Sequence, residues 1–146
     1  MRFFRRRPGP DSPDVARVPL TFAEALASAS DRDVEVRAAA GVLLASATDL
    51  DQVADILIRL LLDQEDTFVT SETADALVDR RDVPGLRLVI LALARADDEN
   101  TANWIWDALL DPQTYEELAE RTSLLEALTG SDVAATARTV LERLRA

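Results

Sequence analysis

Hydrophobic residues recur along most of this chain with the period of an α-helix. The clearest case runs from Val53 to Leu61, where Val53, Ile56, Leu57, Leu60 and Leu61 fall at positions i, i+3, i+4, i+7 and i+8. Residues that cap helices separate such stretches at short intervals. From Thr21 onward the pattern predicts eight helices with short connections, and therefore an all-α fold.

The helix starts are predicted from capping residues. Three capping boxes pair Thr21 with Glu24, Asp49 with Gln52 and Thr114 with Glu117. The first helix is expected to end near residue 29, the second near residue 47, and the last to span residues 131–145. The other predicted starts are Asp31 or Asp33, Thr70 or Ser71, Asp82 with Pro84 in the first turn, Asn100 or Thr101, and Ser131.

Leucines and acidic turns repeat with a period near 32 residues. One series comprises Leu43, Leu77, Leu109 and Leu141, and a second comprises Leu61, Leu93 and Leu125. Acidic turns follow the same rhythm, at Asp31/Asp33, Asp63/Glu65/Asp66 and Asp97/Asp98/Glu99. A repeat of two helices at this period is typical of an α-solenoid. The alternative is an irregular helical bundle.

The stretch "DVEVRAAAGVL", residues 33–43, resembles the first helix of short HEAT-like repeats. The resemblance implies a right-handed α-solenoid-like stack of about three antiparallel helix pairs, at residues 32–63, 70–96 and 100–129. The first and last helices would then be half-repeat caps. It also implies that Arg37 supports the acidic turn of a neighbouring repeat.

The helix predicted over residues 85–96 is apolar on almost every side, which favours a position at the centre of the stack. The predicted core consists of Leu57, Leu61, Leu77, Leu86, Val89, Ile90, Leu93 and Leu109.

Residues 1–20 differ in composition from the rest. This segment is rich in proline and holds Phe3 and Phe4 beside four arginines, so we predict a flexible basic arm, and a single helical-repeat domain over residues 21–146. The arm could contact an anionic membrane or an acidic face of the same protein, or remain an unattached tail. Neither a signal peptide nor a membrane-spanning stretch is predicted, and the expected location is cytoplasmic.

The charge balance favours basic partners over nucleic acid. The chain has 27 acidic residues against 16 basic ones, all arginine, for a net charge of −11. An acidic surface repels phosphates and attracts basic proteins, although solubility by itself is an alternative explanation of the charge. The chain has no histidine and no cysteine, and it has no phosphate-binding or calcium-binding loop motif. No catalytic residue, metal site or cofactor is therefore expected.

Two features are candidate binding elements. The first is an acidic rim, expected if the acidic turns align along one edge. The second is a tryptophan at the edge of a groove, since Trp104 and Trp106 diverge by about 200° on a helix. The candidate partner-binding residues are Asp63, Glu65, Asp66, Asp97, Asp98, Glu99, Trp104 and Trp106.

The function predicted from these features is a non-enzymatic protein-interaction module for a basic protein, as an adaptor or an immunity-type inhibitor. Two alternatives stay open. A nucleic-acid-associated repeat protein would need Arg59, Arg87 and Arg95 to converge, and a carboxylate-dependent hydrolase would need converging carboxylates in a pocket. Oligomeric state is not predicted.

Overall fold

The chain is all-helical over residues 21–146, the part that the computed structural model describes, and no strand occurs there. The predicted basic arm, residues 1–20, lies outside the described residues. A 3-10 turn, Leu50–Gln52, precedes the third helix. The helices of the described part are α1 Phe22–Ser28, α2 Val34–Leu44, α3 Ala54–Leu61, α4 Thr67–Val78, α5 Val83–Arg95, α6 Glu99–Leu109, α7 Tyr115–Leu128 and α8 Ala134–Arg145.

Four helix starts follow the predicted capping chemistry, and at α2 the N-cap is Asp33. The Thr21 hydroxyl accepts a hydrogen bond from the backbone N–H of Glu24 at 3.1 Å, which opens α1. Thr114 accepts in the same way from Glu117 at 3.0 Å and opens α7. Asp82 opens α5, with Pro84 in the first turn. In each case the side-chain oxygen satisfies a backbone donor that has no partner within the helix.

The predicted start of α4 at Thr70 or Ser71 is wrong by three to four residues. The carboxylate of Asp66 accepts from the backbone N–H of Phe68 at 2.8 Å and opens the helix at Thr67. Thr70 and Ser71 are therefore inside the helix, where both are buried. The helix is thus capped by Asp66, which lies upstream of the two hydroxyl residues that were predicted to cap it.

The start of α6 was also predicted too far along the chain. Asp98 is the N-cap and α6 begins at Glu99, so the predicted start at Asn100 or Thr101 is one or two residues late. The prediction for α8 errs in the opposite direction, because Ser131 belongs to a turn and the helix begins at Ala134.

The connection between α2 and α3 also differs from its prediction. The helix α2 ends at Leu44 rather than near residue 47. Asp49 caps the 3-10 turn by accepting from the backbone N–H of Asp51 at 3.1 Å, and α3 follows without a side-chain cap.

Alternate helices pack against one another along the chain. The helix α4 contacts both α2 and α6, and α5 contacts both α3 and α7. At the two ends, α1 packs on α2, and α8 packs on α7 and α5. This contact order brings the connections before α2, α4 and α6 within reach of one another.

The core prediction is confirmed around α5. This helix contacts α3, α4, α6, α7 and α8, as its nearly continuous apolar surface requires. Of the eight predicted core residues, Leu93 is half-buried and the other seven are buried. The first leucine series differs at one member, because Leu44 is fully buried where Leu43 is only half-buried, whereas Leu77, Leu109 and Leu141 are buried.

None of the helices in residues 21–146 combines the length and the apolar character that crossing a membrane requires.

The helices α2 and α4 approach each other closely at Gly41. A Cβ atom added to Gly41 would lie 2.1 Å from Oγ1 and 3.2 Å from Cβ of Thr73. Thr73 is fully buried, so its side chain has no solvent space into which it could retreat. The absence of a side chain at Gly41 therefore sets the separation of these two helices.

We predict that Gly41→Ala lowers the free energy of unfolding by about 1–3 kcal/mol, because an overpacked seam has to separate. Removing the Thr73 hydroxyl and methyl groups should make room for the new atom. The double variant Gly41→Ala/Thr73→Ala should therefore be more stable than the sum of the single effects, as measured by urea unfolding. Additive effects would contradict this seam geometry.

Candidate functional site

Arg37 connects the first two acidic turns. Its Nη1 atom donates to the backbone carbonyls of Asp31 at 2.9 Å and Arg32 at 3.1 Å. Its Nε and Nη2 atoms donate to the Asp63 carboxylate at 3.1 and 2.9 Å. Arg37 therefore does contact an acidic turn, as the resemblance of residues 33–43 implied. The side chains of Arg37 and Asp63 are each only 8% exposed, so Asp63 holds two connections together rather than offering its charge to solvent.

The other two acidic residues of the second turn differ in whether their carboxylates are available to a binding partner. Glu65 is 75% exposed in its side chain and lies 3.5 Å from Nη2 of Arg37, at the outer edge of the ion pair. Asp66 is half-buried and occupied in capping α4. Glu65 is therefore the residue of this turn whose charge a partner could reach without disturbing the fold.

The second and third acidic turns face each other across a polar depression of about 290 Å³. Its walls come from the connection before α4 and from the first turn of α6. Four carboxylates line it, and none of the described residues on its walls is basic. The lining residues are Asp63, Gln64, Glu65, Asp66, Thr67, Asp98, Asn100 and Thr101.

The carboxylate of Asp98 is held in its charged form. It accepts hydrogen bonds from Oγ1 of Thr101 at 2.9 Å and from the backbone N–H of Thr101 at 3.1 Å. The side-chain bond and then the backbone bond from Thr101 lower the pKa of Asp98 below its usual range. A general acid needs the opposite shift, so Asp98 is poorly suited to donate a proton at neutral pH.

Asp97 and Glu99 are exposed, but they do not line the depression. The structure thus places four of the six predicted acidic residues on its walls and the other two on the adjoining surface. Gln64, Thr67, Asn100 and Thr101 complete the walls and were not predicted, since their place depends on how the two turns face each other.

The two tryptophans lie apart from the depression, farther along α6. Trp104 is 38% exposed, whereas Trp106 is half-buried beneath the guanidinium of Arg143, which lies 4.5 Å from the centre of its ring. Between them Ile105 is fully buried. The expected divergence of the two side chains is confirmed, and Trp104 is the one that a partner could contact.

The observations bear unequally on the two alternative functions. For a carboxylate-dependent enzyme, carboxylates do converge in the depression, but no group of three or more Asp or Glu in residues 21–146 has the geometry to hold a metal ion.

For nucleic-acid binding, Arg87 is bound to Asp132, which lies in the connection before α8. That pairing neutralises one of the three arginines that a basic stripe would need.

Comparison of the chain with protein-family models, curated proteins and solved structures gave no match in any of the three searches.

We predict that the two carboxylates that contact Arg37 differ sharply in importance for stability. Asp63→Ala leaves a buried guanidinium without its charged partner and should cost about 3 kcal/mol. Glu65→Ala removes an exposed partner and should cost less than about 0.5 kcal/mol. Urea unfolding of both variants measures the difference, and equal losses would contradict a structural role that is specific to Asp63.

We also predict that replacing Asp98 lowers the free energy of unfolding by an amount that depends on pH. Because its pKa is lowered in the folded state, the stability it contributes is present above the ordinary aspartate pKa of about 4, and is lost as the pH falls through the lowered value. Asp98→Ala should therefore reduce the free energy of unfolding more at pH 7 than near pH 3. Asp97→Ala, at the exposed neighbouring position, should show a small effect at both. A penalty for Asp98→Ala that grows toward acid would contradict the assignment.

Proposed function

We propose that this chain is a protein-interaction module without catalytic activity, a short HEAT-like helical stack whose acidic edge binds a basic protein. The observation that carries the proposal is the depression between the second and third acidic turns, which four carboxylates line. "Acidic edge" denotes here the three turns at residues 31–33, 63–66 and 97–99.

The order of helix contacts supports a repeat-like stack. One series, α2, α4 and α6, packs in sequence, and so does the other, α3, α5 and α7. In an α-solenoid each helix pair contacts the pair before it and the pair after it, which produces two such series. The buried leucines Leu44, Leu77, Leu109 and Leu141 follow at intervals of 33, 32 and 32 residues. Contact order and spacing therefore favour the same repeat unit.

The alignment of the three turns supports the acidic edge. Arg37 bonds to the first turn and to Asp63 of the second, and the depression joins the second turn to the third. Consecutive turns are thus neighbours in space as well as in the repeat. Each bears a carboxylate at the start of a helix, where the helix dipole and the exposed amides stabilise negative charge.

A basic protein fits this edge better than other partners. The described part of the chain carries 25 acidic residues against 11 arginines, a balance that steers basic partners toward it and repels phosphates. An adaptor for a basic protein, or an immunity-type inhibitor of a basic toxin, would use such a surface. Trp104 offers a second contact of a different kind, since exposed aromatic residues frequently anchor protein interfaces.

The structure allows the charge of the edge to be changed without removing its supports. Asp63, Asp66 and Asp98 each hold the fold, as an ion-pair partner or as helix caps. Glu65, Asp97 and Glu99 are exposed and cap no helix. The test variant is therefore Glu65→Gln/Asp97→Asn/Glu99→Gln.

A matched control loses the same charge elsewhere. Asp51→Asn/Asp55→Asn/Glu116→Gln changes three exposed carboxylates near the starts of α3 and α7. Asp55 lies at the opposite end of α3 from the Asp63 turn, and Glu116 follows the C-terminal end of α6. Both triple variants have a net charge three units less negative, so a difference between them reports position rather than total charge.

We predict that capture of basic proteins from a nuclease-treated lysate depends on the edge. At about 50 mM salt the edge variant should retain about ten-fold less of the captured basic proteins than the control, if three exposed ion pairs contribute about 0.5 kcal/mol each. The control should match the unchanged chain, and about 300 mM salt should remove the difference. Quantitative mass spectrometry measures both effects.

Equal capture by the two triple variants would contradict the acidic-edge proposal. Partners that are retained at high salt and lost on Trp104→Ala would instead place the interface on α6. A fluorescence titration with duplex DNA at low salt tests the nucleic-acid alternative, since tight binding there would favour it over a basic partner.

A further inference from the structure

The first helix, α1, has little internal support. It is seven residues long and packs against α2, and among its residues only Ala25 is fully buried, followed by Ala29 at its C-cap. Helices of this length are not stable in water by themselves, so their stability must come from packing. The buried contact of α1 is made by small alanine side chains, which leaves its two large apolar side chains, Phe22 and Leu26, largely outside that contact.

The outer side of α1 is apolar and uncovered. Phe22 is 38% exposed and Leu26 is 42% exposed, and their spacing of four residues places them on the same side of the helix. Ala23 and Ala27 are exposed as well. This apolar side of α1, formed by Phe22, Ala23, Leu26 and Ala27, is continuous along the whole helix.

The size of this face argues against a second copy of the chain as its cover. A helix of seven residues is about 10 Å long. A stable interface between proteins needs about 800 Å² from each partner, far more than one side of so short a helix can supply. A short peptide segment, by contrast, matches the dimensions of the face.

Such a segment is joined directly to α1. Residues 1–20 directly precede Thr21, the N-cap of α1, so docking of this segment would avoid the entropic cost of bringing a separate molecule to the face. Phe3 and Phe4 are the largest apolar residues of the segment, and an aromatic side chain buries the most apolar area per residue.

The chain between the arginines and α1 is long enough to bring Phe3 and Phe4 back to the apolar side of α1. Residues 8–20 can span about 43 Å when extended, about four times the length of α1. Pro8, Gly9 and Pro10 follow the arginines directly, and residues of these types are typical of turns.

Charge favours the same placement. Residues 1–20 hold five arginines and two aspartates, a net charge of +3, against −14 for residues 21–146. Four of the arginines flank Phe3 and Phe4. The exposed carboxylate of Glu24 lies in the first turn of α1, and the acidic turn at Asp31 and Asp33 follows the helix closely, so both are within reach of arginines near α1.

We propose that the apolar side of α1 is the docking site of the chain's own N-terminal segment, with Phe3 and Phe4 as its anchors and the neighbouring arginines facing the first acidic turn. The interaction is intramolecular and independent of any partner protein. It stabilises α1 and, through α1, the end of the stack at α2.

Because the chain has no cysteine, a single spin label can test this placement. Ser30→Cys puts the label just beyond the C-terminal end of α1, close to its apolar side but outside it, and Glu116→Cys puts it on the exposed start of α7 as a control. With the label at residue 30, the amide NMR signals of residues 2–7 should lose most of their intensity in the full chain. With the label at residue 116 they should keep it.

Two further samples separate the possible outcomes. Phe3→Ser/Phe4→Ser in the chain labelled at residue 30 should restore the signals of the other N-terminal residues. Signal loss that persists in this variant, or no loss with the label at residue 30, overturns the proposal. In a mixture of unlabelled ¹⁵N chain with spin-labelled ¹⁴N chain, loss of the N-terminal signals would show that the contact joins two copies, and would overturn it as well.

Hydrogen exchange of the unlabelled chain provides a measurement without the added cysteine. Phe3→Ser/Phe4→Ser should accelerate amide exchange in α1 by about ten-fold and leave the protection of α5 unchanged, because only the local opening of α1 is affected. Exchange in α1 that does not respond to the two substitutions would contradict docking.

Discussion

The arrangement of the helices depends on arginine side chains that bond to backbone carbonyls at helix ends and in connections. Arg80 donates from Nη1 to the carbonyls of Ala45 and Ala47, at 2.8 and 2.7 Å, just beyond the end of α2. Arg121 donates to the carbonyl of Leu109 at the end of α6, at 2.9 Å. Such carbonyls have no partner within the helix and carry the negative end of its dipole. A planar guanidinium satisfies them and retains donors for a carboxylate.

Each of these arginines also bonds to an acidic side chain, and for Arg37 that side chain belongs to one of the acidic turns. Arg80 pairs with Asp82, the N-cap of α5, and Arg121 pairs with Glu117 in α7. Arg37 pairs with Asp63 and bonds to the connection before α2. The acidic residues of the edge consequently fall into two groups. One group holds helix ends in place, and the other, represented by Glu65, Asp97 and Glu99, faces solvent.

Most of the fold could be predicted from the sequence because its signals are local. Capping residues and apolar periodicity located the eight helices of residues 21–146, and the composition of residues 85–96 identified the central one. The errors at α4 and α6 arose where two capping residues competed within a few positions, as at Asp66 against Thr70. The choice there depends on which residues the tertiary packing buries, and Thr70 is fully buried. Local sequence does not contain that information.

The candidate site was predictable in its residue types but not in its geometry. The repeated acidic turns indicated an edge, and the resemblance of residues 33–43 to a HEAT-like helix indicated the role of Arg37. Which carboxylates are engaged, and which polar side chains complete the depression, depends on long-range contacts between α4 and α6. A period in the sequence predicts that turns recur, whereas the distance between them follows from helix packing.

That distance constrains what the acidic edge can recognise. Packed helices lie about 8–10 Å apart, so turns at the starts of α2, α4 and α6 repeat at roughly that interval. The contact between Gly41 and Thr73 places α2 and α4 toward the short end of this range. A partner helix repeats its side chains at about 10 Å every seven residues, and an extended strand does so every three. A basic partner that engages all three turns therefore needs cationic residues at one of these two spacings, and net positive charge without that spacing would engage one turn at a time.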